Sequence, residues 1–149
     1  MTEHRGAKVL IIGAGLAAGG NMALVLSQAG IAAGLAEDDQ GAHMAEFAAG
    51  LGDGVNGTII YLFDHPAGPE TAAHAHIRTQ ALSLAPQIRV NGICPGPLVA
   101  GKAADIEQWS SLPLGLKVST EGIVGAVRFI LDTASITGQV IALDGGTTE

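Results

Sequence analysis

Apolar runs alternate with short breaks of glycine, proline or acidic residues along the chain. Five of these runs are short and mostly rich in β-branched residues, which is typical of strands buried on both faces of a sheet. Between them, apolar residues recur every three or four positions, which predicts helices with one buried side. The predicted strands cover 8–12, 31–36, 58–63, 88–93 and 139–143. The predicted helices cover 16–29, 44–51, 73–84 and 120–131, with Ser119 or Thr120 as the cap of the last one.

Strands that are separated by helices cannot pair as hairpins. They need right-handed crossover connections, which place the strands parallel and put helices on both faces of the sheet. The fold class is therefore α/β, a doubly wound parallel sheet of the Rossmann type. The chain has no repeat or linker, so residues 1–149 are expected to form a single domain.

Composition narrows the classes of function. Of the 149 residues, 48% are hydrophobic and 14% are charged, which favours a large buried core. The net charge of −7, without a stripe of Lys or Arg, argues against nucleic acid or an anionic membrane surface as a partner. Cys94 is the only cysteine, so an internal disulfide is impossible, and a reducing cytoplasm is the expected location.

The segment 9–36 contains no charged residue, and an export signal or membrane span can look similar. Six glycines interrupt it, together with Asn21, Ser27 and Gln28, and they make it less apolar than a lipid-facing helix. We therefore expect no membrane association. A metal site is not expected either, because His74 and His76 point about 200° apart on the predicted helix.

A glycine-rich segment stands where a dinucleotide-binding loop must stand, after the first strand and at the opening of the first helix. Glycine there lets the backbone approach a pyrophosphate, and the helix amides can donate hydrogen bonds to it. In the G-x-G-x-x-G pattern, Ala18 takes the third position and the next glycine comes one residue later. The candidate cofactor-binding residues here are Gly13, Gly15, Leu16 and Gly19. The alternative is a tight strand-to-helix turn that binds nothing.

Glu37 ends the second predicted strand, 24 residues after Gly13. A carboxylate at this place can accept hydrogen bonds from the adenosine ribose and repel a 2′-phosphate, which favours NAD over NADP. Asp38 or Asp39 could take this role instead. The alternative, held as equally good, is that the three acids cap the second helix at its positive end.

Two motifs in the second half of the chain resemble the short-chain dehydrogenase/reductase family. A helix leads into Ile88-Arg89-Val90-Asn91 and a Pro95-Gly96 loop, and the last strand lies between Thr137-Gly138 and Asp144-Gly145-Gly146. The junctions before both strands look most like the pteridine and dihydromonapterin reductase branch. The resemblance implies that Asn91 shapes the strand end and that Pro95, Gly96, Pro97 and Leu98 line the nicotinamide side of a cofactor pocket.

The chain also departs from the family pattern. It has no Tyr-x-x-x-Lys pair, which supplies the family's catalytic acid, and the residues that match these positions are Pro66 and Glu70. Its single tyrosine is Tyr61. The catalytic residues are therefore left unassigned.

The chain is also shorter than the family's usual domain, with about one or two β-α units missing between the second helix and the third strand. The remaining strands can close ranks in the order 2-1-3-4-5. Helices that lost their neighbours would expose apolar faces, so we expect a homodimer or a larger homo-oligomer.

Two hypotheses on function follow from these observations. The first is an NAD(H)-dependent oxidoreductase of reduced size that acts on a carbonyl or a pterin, with NADP less favoured as the cofactor. The second is a catalytically inactive dimeric module of the same fold that serves as a nucleotide sensor or partner subunit.

Overall fold

The described residues form five strands in one parallel sheet of order β2-β1-β3-β4-β5. The computed structural model describes residues 8–13, 22–37, 39, 43–52, 55–62, 72–94, 113–114 and 119–143. The strands are β1 Lys8–Ile12, β2 Ala33–Ala36, β3 Gly57–Leu62, β4 Ile88–Cys94 and β5 Val140–Ala142. The helices are α1 Met22–Gln28, α2 His43–Ala49, α3 Ala72–Leu84 and α4 Thr120–Asp132. The predicted fold class and strand order are confirmed.

The central strands are apolar on both sides because helices cover both faces of the sheet. One face packs against α1 and α4, where Ile11, Ile60 and Ile93 meet Leu26 and Val127. The opposite face packs against α2 and α3, through a second group that includes Leu10, Ile12, Ile59, Val90 and Ile77. Each fully buried aliphatic side chain contributes about 1.5–3 kcal/mol of transfer free energy. Alternate residues of each strand thus support opposite halves of the core.

The second strand starts two residues later than predicted, at Ala33. The reason is the end of α1, where Gly30 has a φ of 79° and the amide of Ile31 donates to the carbonyl of Leu26. A glycine in the left-handed region with this bond pattern closes a helix before the chain turns. Ile31 is buried as expected, but it belongs to the helix closure and not to the strand.

Helix α4 is capped at both ends. At its start, the Ser119 side chain accepts a hydrogen bond from the amide of Gly122, which decides between the two predicted caps. At its end, one Arg89 guanidinium nitrogen donates to the carbonyls of Ile130, Thr133 and Ile136. A cation among terminal helix carbonyls is favourable. Arg89 therefore ties the segment between α4 and β5 to β4.

Gly13 closes β1 against the ends of both neighbouring strands. Its amide donates to the carbonyl of Ala36, the last residue of β2, at 2.7 Å. Its φ is 91°, and a Cβ at this position would overlap the carbonyl oxygen of Leu62 at the end of β3. Only glycine fits both demands, because it lacks the Cβ. The chain thus leaves the sheet through a turn held between β2 and β3.

We expect Gly13→Ala to destabilise the fold more than Gly30→Ala. Gly30 has the same left-handed backbone but nothing within 4 Å of an added Cβ, so its substitution costs only the backbone strain, about 1–2 kcal/mol. At Gly13 the overlap with Leu62 adds to that strain, for a loss of about 3 kcal/mol or more. Urea unfolding of both variants measures the difference. Equal losses would show that the close approach to Leu62 does not constrain this turn.

Candidate functional site

The carboxyl ends of β1, β2 and β3 meet at one edge of the sheet, where the chain reverses its direction of winding. In sheets of this order, ligands bind in the crevice at the switch between β1 and β3. Gly13 follows β1 at this edge, Glu37 follows β2, and Tyr61 and Leu62 end β3. The fold therefore brings Gly13 and the candidate acid to the edge where a ligand is expected.

The structure describes three of the nine predicted cofactor-binding residues. Gly13 and Glu37 lie at the carboxyl edge, and Asn91 lies in the middle of β4. The other six lie outside the described residues, and so does Asp38. These six are Gly15, Leu16, Gly19, Pro95, Gly96 and Leu98.

Glu37 comes directly after Ala36, whose carbonyl accepts the hydrogen bond from Gly13. It is exposed to solvent, so its carboxylate is accessible to a ligand. A backbone hydrogen bond thus joins the end of β1 to the residue that precedes Glu37. This arrangement suits a ligand that has a phosphate near the β1 turn and a ribose near Glu37.

Asn91 is completely buried and holds the entry into β5. Its Nδ2 donates to the carbonyl of Ile136 at 3.1 Å, and its Oδ1 accepts from the amide of Gln139 at 3.1 Å. Thr137 adds a further bond by accepting from the amide of Val90 at 3.1 Å. Asn91 thereby sets where the last strand begins, while a direct contact with a cofactor stays a prediction.

A polar cluster that sequence reasoning missed lies beside Glu37. It consists of Asp39, Tyr61 and His76, which we call the Asp39 cluster. The Tyr61 hydroxyl donates to Asp39 Oδ2 at 3.0 Å, and His76 Nε2 lies 2.6 Å from the same oxygen. The Tyr61 and His76 rings also meet edge to face, with centroids 5.7 Å apart. The cluster joins the segment after β2 to β3 and to α3.

Burial and charge set the ionisation of this cluster. Burial raises the pKa of the Tyr61 phenol well above its usual value, and the neighbouring Asp39 carboxylate raises it further. For Asp39, burial alone would raise the pKa, but hydrogen bonds from His76 and Tyr61 outweigh it and hold the pKa below 3.8. At neutral pH Tyr61 is therefore a phenol that donates to a carboxylate.

This ionisation is opposite to what acid catalysis by a tyrosine needs. A tyrosine that gives up its proton near neutral pH requires a lowered pKa. Tyr61 is also 6% exposed, and its hydroxyl is directed to Asp39. Tyr61 therefore does not replace the missing Tyr-x-x-x-Lys pair.

The structure adds to one interpretation of the sequence and corrects another. The sequence left Asp39 as a ribose ligand or a cap of α2, and neither role anticipated its bonds to Tyr61 and His76, which come from β3 and α3. The sequence also predicts a small buried thiol at Cys94, but this last residue of β4 is only partly buried. The meeting of Tyr61 with Asp39 depends on the pairing of β1 with both neighbours, which no local motif encodes.

Within the described ranges, no group of three His, Cys, Asp or Glu side chains could hold a metal ion. In the same part of the chain, no helix has the length and apolarity that crossing a bilayer requires.

Comparisons with known proteins identify the family to which this chain is similar. Residues 70–148 match the family model described as enoyl-(acyl carrier protein) reductase. A short-chain dehydrogenase/reductase homolog of Bacillus subtilis, YusR, is 30% identical over 84 residues, which cover 53% of this chain and 65% of the relative.

Solved structures agree with this result. The alternative dihydrofolate reductase FolM from Brucella canis, complexed with NADP, is 34% identical with a TM-score of 0.60, over 69% of this chain and 48% of the enzyme. A short-chain dehydrogenase from Leptospira borgpetersenii with bound NAD+ is 18% identical, with a TM-score of 0.68, over 96% of this chain and 93% of that protein. The second likeness shows the fold alone. The chain spans about half the length of the Brucella enzyme and 65% of the Bacillus relative.

We expect Asp39→Asn to lower the free energy of unfolding at neutral pH, with a loss that shrinks in acid. Because the pKa of Asp39 is lowered in the folded state, its carboxylate stabilises the fold above the unfolded value of 3.8. That contribution disappears as the pH falls through the lower folded value. Urea unfolding between pH 7 and pH 2.5 measures it, with Glu46→Gln on α2 as the control for removing one exposed charge. A loss that stays constant down to pH 2.5 would contradict this assignment.

Proposed function

Because the chain belongs to the short-chain dehydrogenase/reductase family, we propose that it binds NAD(H) at the carboxyl edge of its sheet and acts as a nicotinamide-dependent oxidoreductase. The observation that carries this proposal is the arrangement around Gly13. This residue donates a hydrogen bond to Ala36 at the end of β2 and lies against Leu62 at the end of β3, and the exposed Glu37 directly follows Ala36. This is the switch point at which doubly wound sheets bind nucleotides.

Each part of the proposed site has a separate task. The backbone around Gly13, Gly15, Leu16 and Gly19 would approach the pyrophosphate, and Glu37 would accept hydrogen bonds from the adenosine ribose. The family resemblance assigns the nicotinamide side to a second group at the end of β4, formed by Pro95, Gly96 and Leu98. Asn91 would support this group through its hold on the strand that follows.

The charge at the end of β2 favours NAD over NADP. Glu37 is exposed there, and two residues later Asp39 is kept ionised by its lowered pKa. Two carboxylates repel a 2′-phosphate, whereas a ribose hydroxyl can donate to one of them. The solved relatives include proteins with NADP and with NAD+, so the preference proposed here depends on this chain's own residues.

A carbonyl or pterin compound is the proposed substrate. The protein from Brucella canis at 34% identity is named an alternative dihydrofolate reductase, and dihydrofolate contains a dihydropterin ring. The bound nicotinamide would supply a hydride to the electrophilic carbon of a C=O or C=N bond. A proton must then reach the oxygen or nitrogen of that bond, and no described residue is assigned to deliver it.

A second candidate function is a catalytically inactive module that senses the nucleotide or serves as a partner subunit. The observation that favours it is the state of Tyr61, the only tyrosine, whose pKa is raised and whose proton is directed to Asp39. Such a module would keep cofactor binding and lose turnover.

We also propose that the protein lies in the cytoplasm and that copies of the chain associate with each other. In the described part of the chain, β2 forms an edge of the sheet, and its Gly34 and Leu35 are exposed. Further large apolar side chains exposed to solvent are Leu24, Leu82, Leu114 and Phe129. Contact between two copies would cover part of this surface, and a homodimer is the simplest assembly.

We expect the protein to bind NADH more tightly than NADPH, and Glu37→Gln to reduce this preference. Loss of a charge-assisted hydrogen bond to the ribose should weaken NADH binding by about tenfold. NADPH binding should improve, because one repulsive charge is removed. Calorimetric titration measures both constants, and Glu46→Gln controls for the change in net charge. If wild type binds neither nucleotide, the proposed site is wrong.

Turnover separates the two candidate functions. We expect the protein to oxidise NADH when a dihydropterin or a small carbonyl compound is supplied, and the loss of absorbance at 340 nm measures this reaction. Binding of NADH at the edge site without oxidation by any member of a pterin and carbonyl panel would instead establish the inactive module.

A further inference from the structure

We infer that Tyr61 and His76 are positioning residues for cofactor selectivity, because by holding Asp39 they restrain the nearby Glu37, which would bind the adenosine ribose. This inference rests on the proposed function and extends it to two residues that need not touch the cofactor.

The register of the sheet brings the cluster together. Ile12 of β1 pairs with Ala36 of β2 on one side and with Tyr61 of β3 on the other. Ala36 and Tyr61 are therefore at the same level, two strands apart. Asp39, three residues beyond Ala36, lies past the end of β1 and accepts a hydrogen bond from the Tyr61 hydroxyl.

Packing alone does not explain the polar groups. Tyr61 is buried among apolar residues of β1 and α3, where a phenylalanine ring would pack equally well. A buried hydroxyl costs free energy unless it is hydrogen-bonded. Its bond is made to a carboxylate, which forms stronger hydrogen bonds than a neutral acceptor does. The hydroxyl therefore stabilises one position of Asp39.

His76 holds the same carboxylate oxygen from the solvent side. Its side chain is 44% exposed, against 18% for Asp39, and its Nε2 lies 2.6 Å from Asp39 Oδ2. The contact is an ion pair when the imidazole is protonated, and a hydrogen bond from the ring N–H when it is neutral. Asp39 is thus held from two elements, by Tyr61 of β3 and by His76 of α3.

Glu37 lies between two anchors. On one side the Ala36 carbonyl accepts from Gly13, and on the other side Asp39 is held by Tyr61 and His76. With one anchor at the residue before it and another two residues after it, the Glu37 carboxylate has few positions open to it. With Asp39 released, the carboxylate could move away from a 2′-phosphate and would meet the ribose hydroxyls less often, so discrimination would fall.

The test measures dissociation constants of NADH, NADPH and reduced nicotinamide mononucleotide, which lacks the adenosine half. The variants are Tyr61→Phe, which removes only the hydroxyl, and His76→Ala, with His76→Gln as a version that can still donate. Thr79→Ala, an exposed position one turn further along α3, is the matched control. Circular dichroism checks that each variant is folded.

We expect Tyr61→Phe and His76→Ala to weaken NADH binding by about threefold to tenfold, as for one lost hydrogen bond. Binding of the mononucleotide should change by less than about twofold, because it lacks the adenosine ribose. Binding of NADPH should stay the same or improve, because the Glu37 carboxylate is then free to move away from the 2′-phosphate. His76→Gln should recover part of the loss, and Thr79→Ala should match wild type.

Other outcomes have separate meanings. If wild type binds neither dinucleotide, the proposed function fails, and this inference fails with it. If wild type binds NADH and folded variants keep its NADH to NADPH ratio, the proposed function stands and the positioning role is wrong. An equal loss for all three ligands also overturns it, because the residues would then support the fold and not the adenosine end.

Discussion

The close approach of Gly13 to the carbonyl of Leu62 is the constraint on which the candidate site depends. It lets β1 end between its two neighbours, with an amide directed to Ala36. Any side chain at this position would push β1 away from β3 and disturb the end of β1 at the sheet edge. The glycine is therefore needed for the shape of the edge, whether or not its own atoms contact a ligand.

Polar interactions hold connecting segments at two places, at the carboxyl edge beside β2 and nearer the amino end of β4. On the β2 side, Asp39 joins three elements through Tyr61 and His76. On the β5 side, Asn91 and Arg89 tie the segment after α4 to β4. Both groups satisfy buried polar atoms with backbone or carboxylate partners, which favours one arrangement of the connecting segments over others. The connecting segments are thus held by specific hydrogen bonds, while the apolar core holds the layers together.

Most of the fold could be predicted from the sequence, because its signals are local. Runs such as 58–63 are apolar on both faces, Gly30 closes a helix, and Ser119 caps one, and each of these acts within a few residues. The predicted start of β2 and the predicted ends of β5 were wrong. In these short segments, the backbone groups can form either strand-pairing or turn hydrogen bonds. Local pattern cannot settle that competition.

The site was less predictable because its contacts are distant in sequence. Asp39 and Tyr61 are 22 residues apart, and Asp39 and His76 are 37 apart. Their meeting depends on the register of β1 with both β2 and β3, and a motif search sees only the three acids in a row. Glu37 could be proposed from the sequence because its position relative to a glycine loop is a known pattern. The residues that hold its segment had no such signal.

Amide chemical shifts during titration of NADH into the ¹⁵N-labelled protein test the central claim most directly. The account predicts that the largest changes fall on Gly13, Glu37 and Asp39 at the carboxyl ends of the strands. Lys8, Gly57 and Ile88, at the opposite ends, should keep their shifts. Changes centred on those amino-terminal ends, or no change at saturating NADH, would contradict binding at this edge.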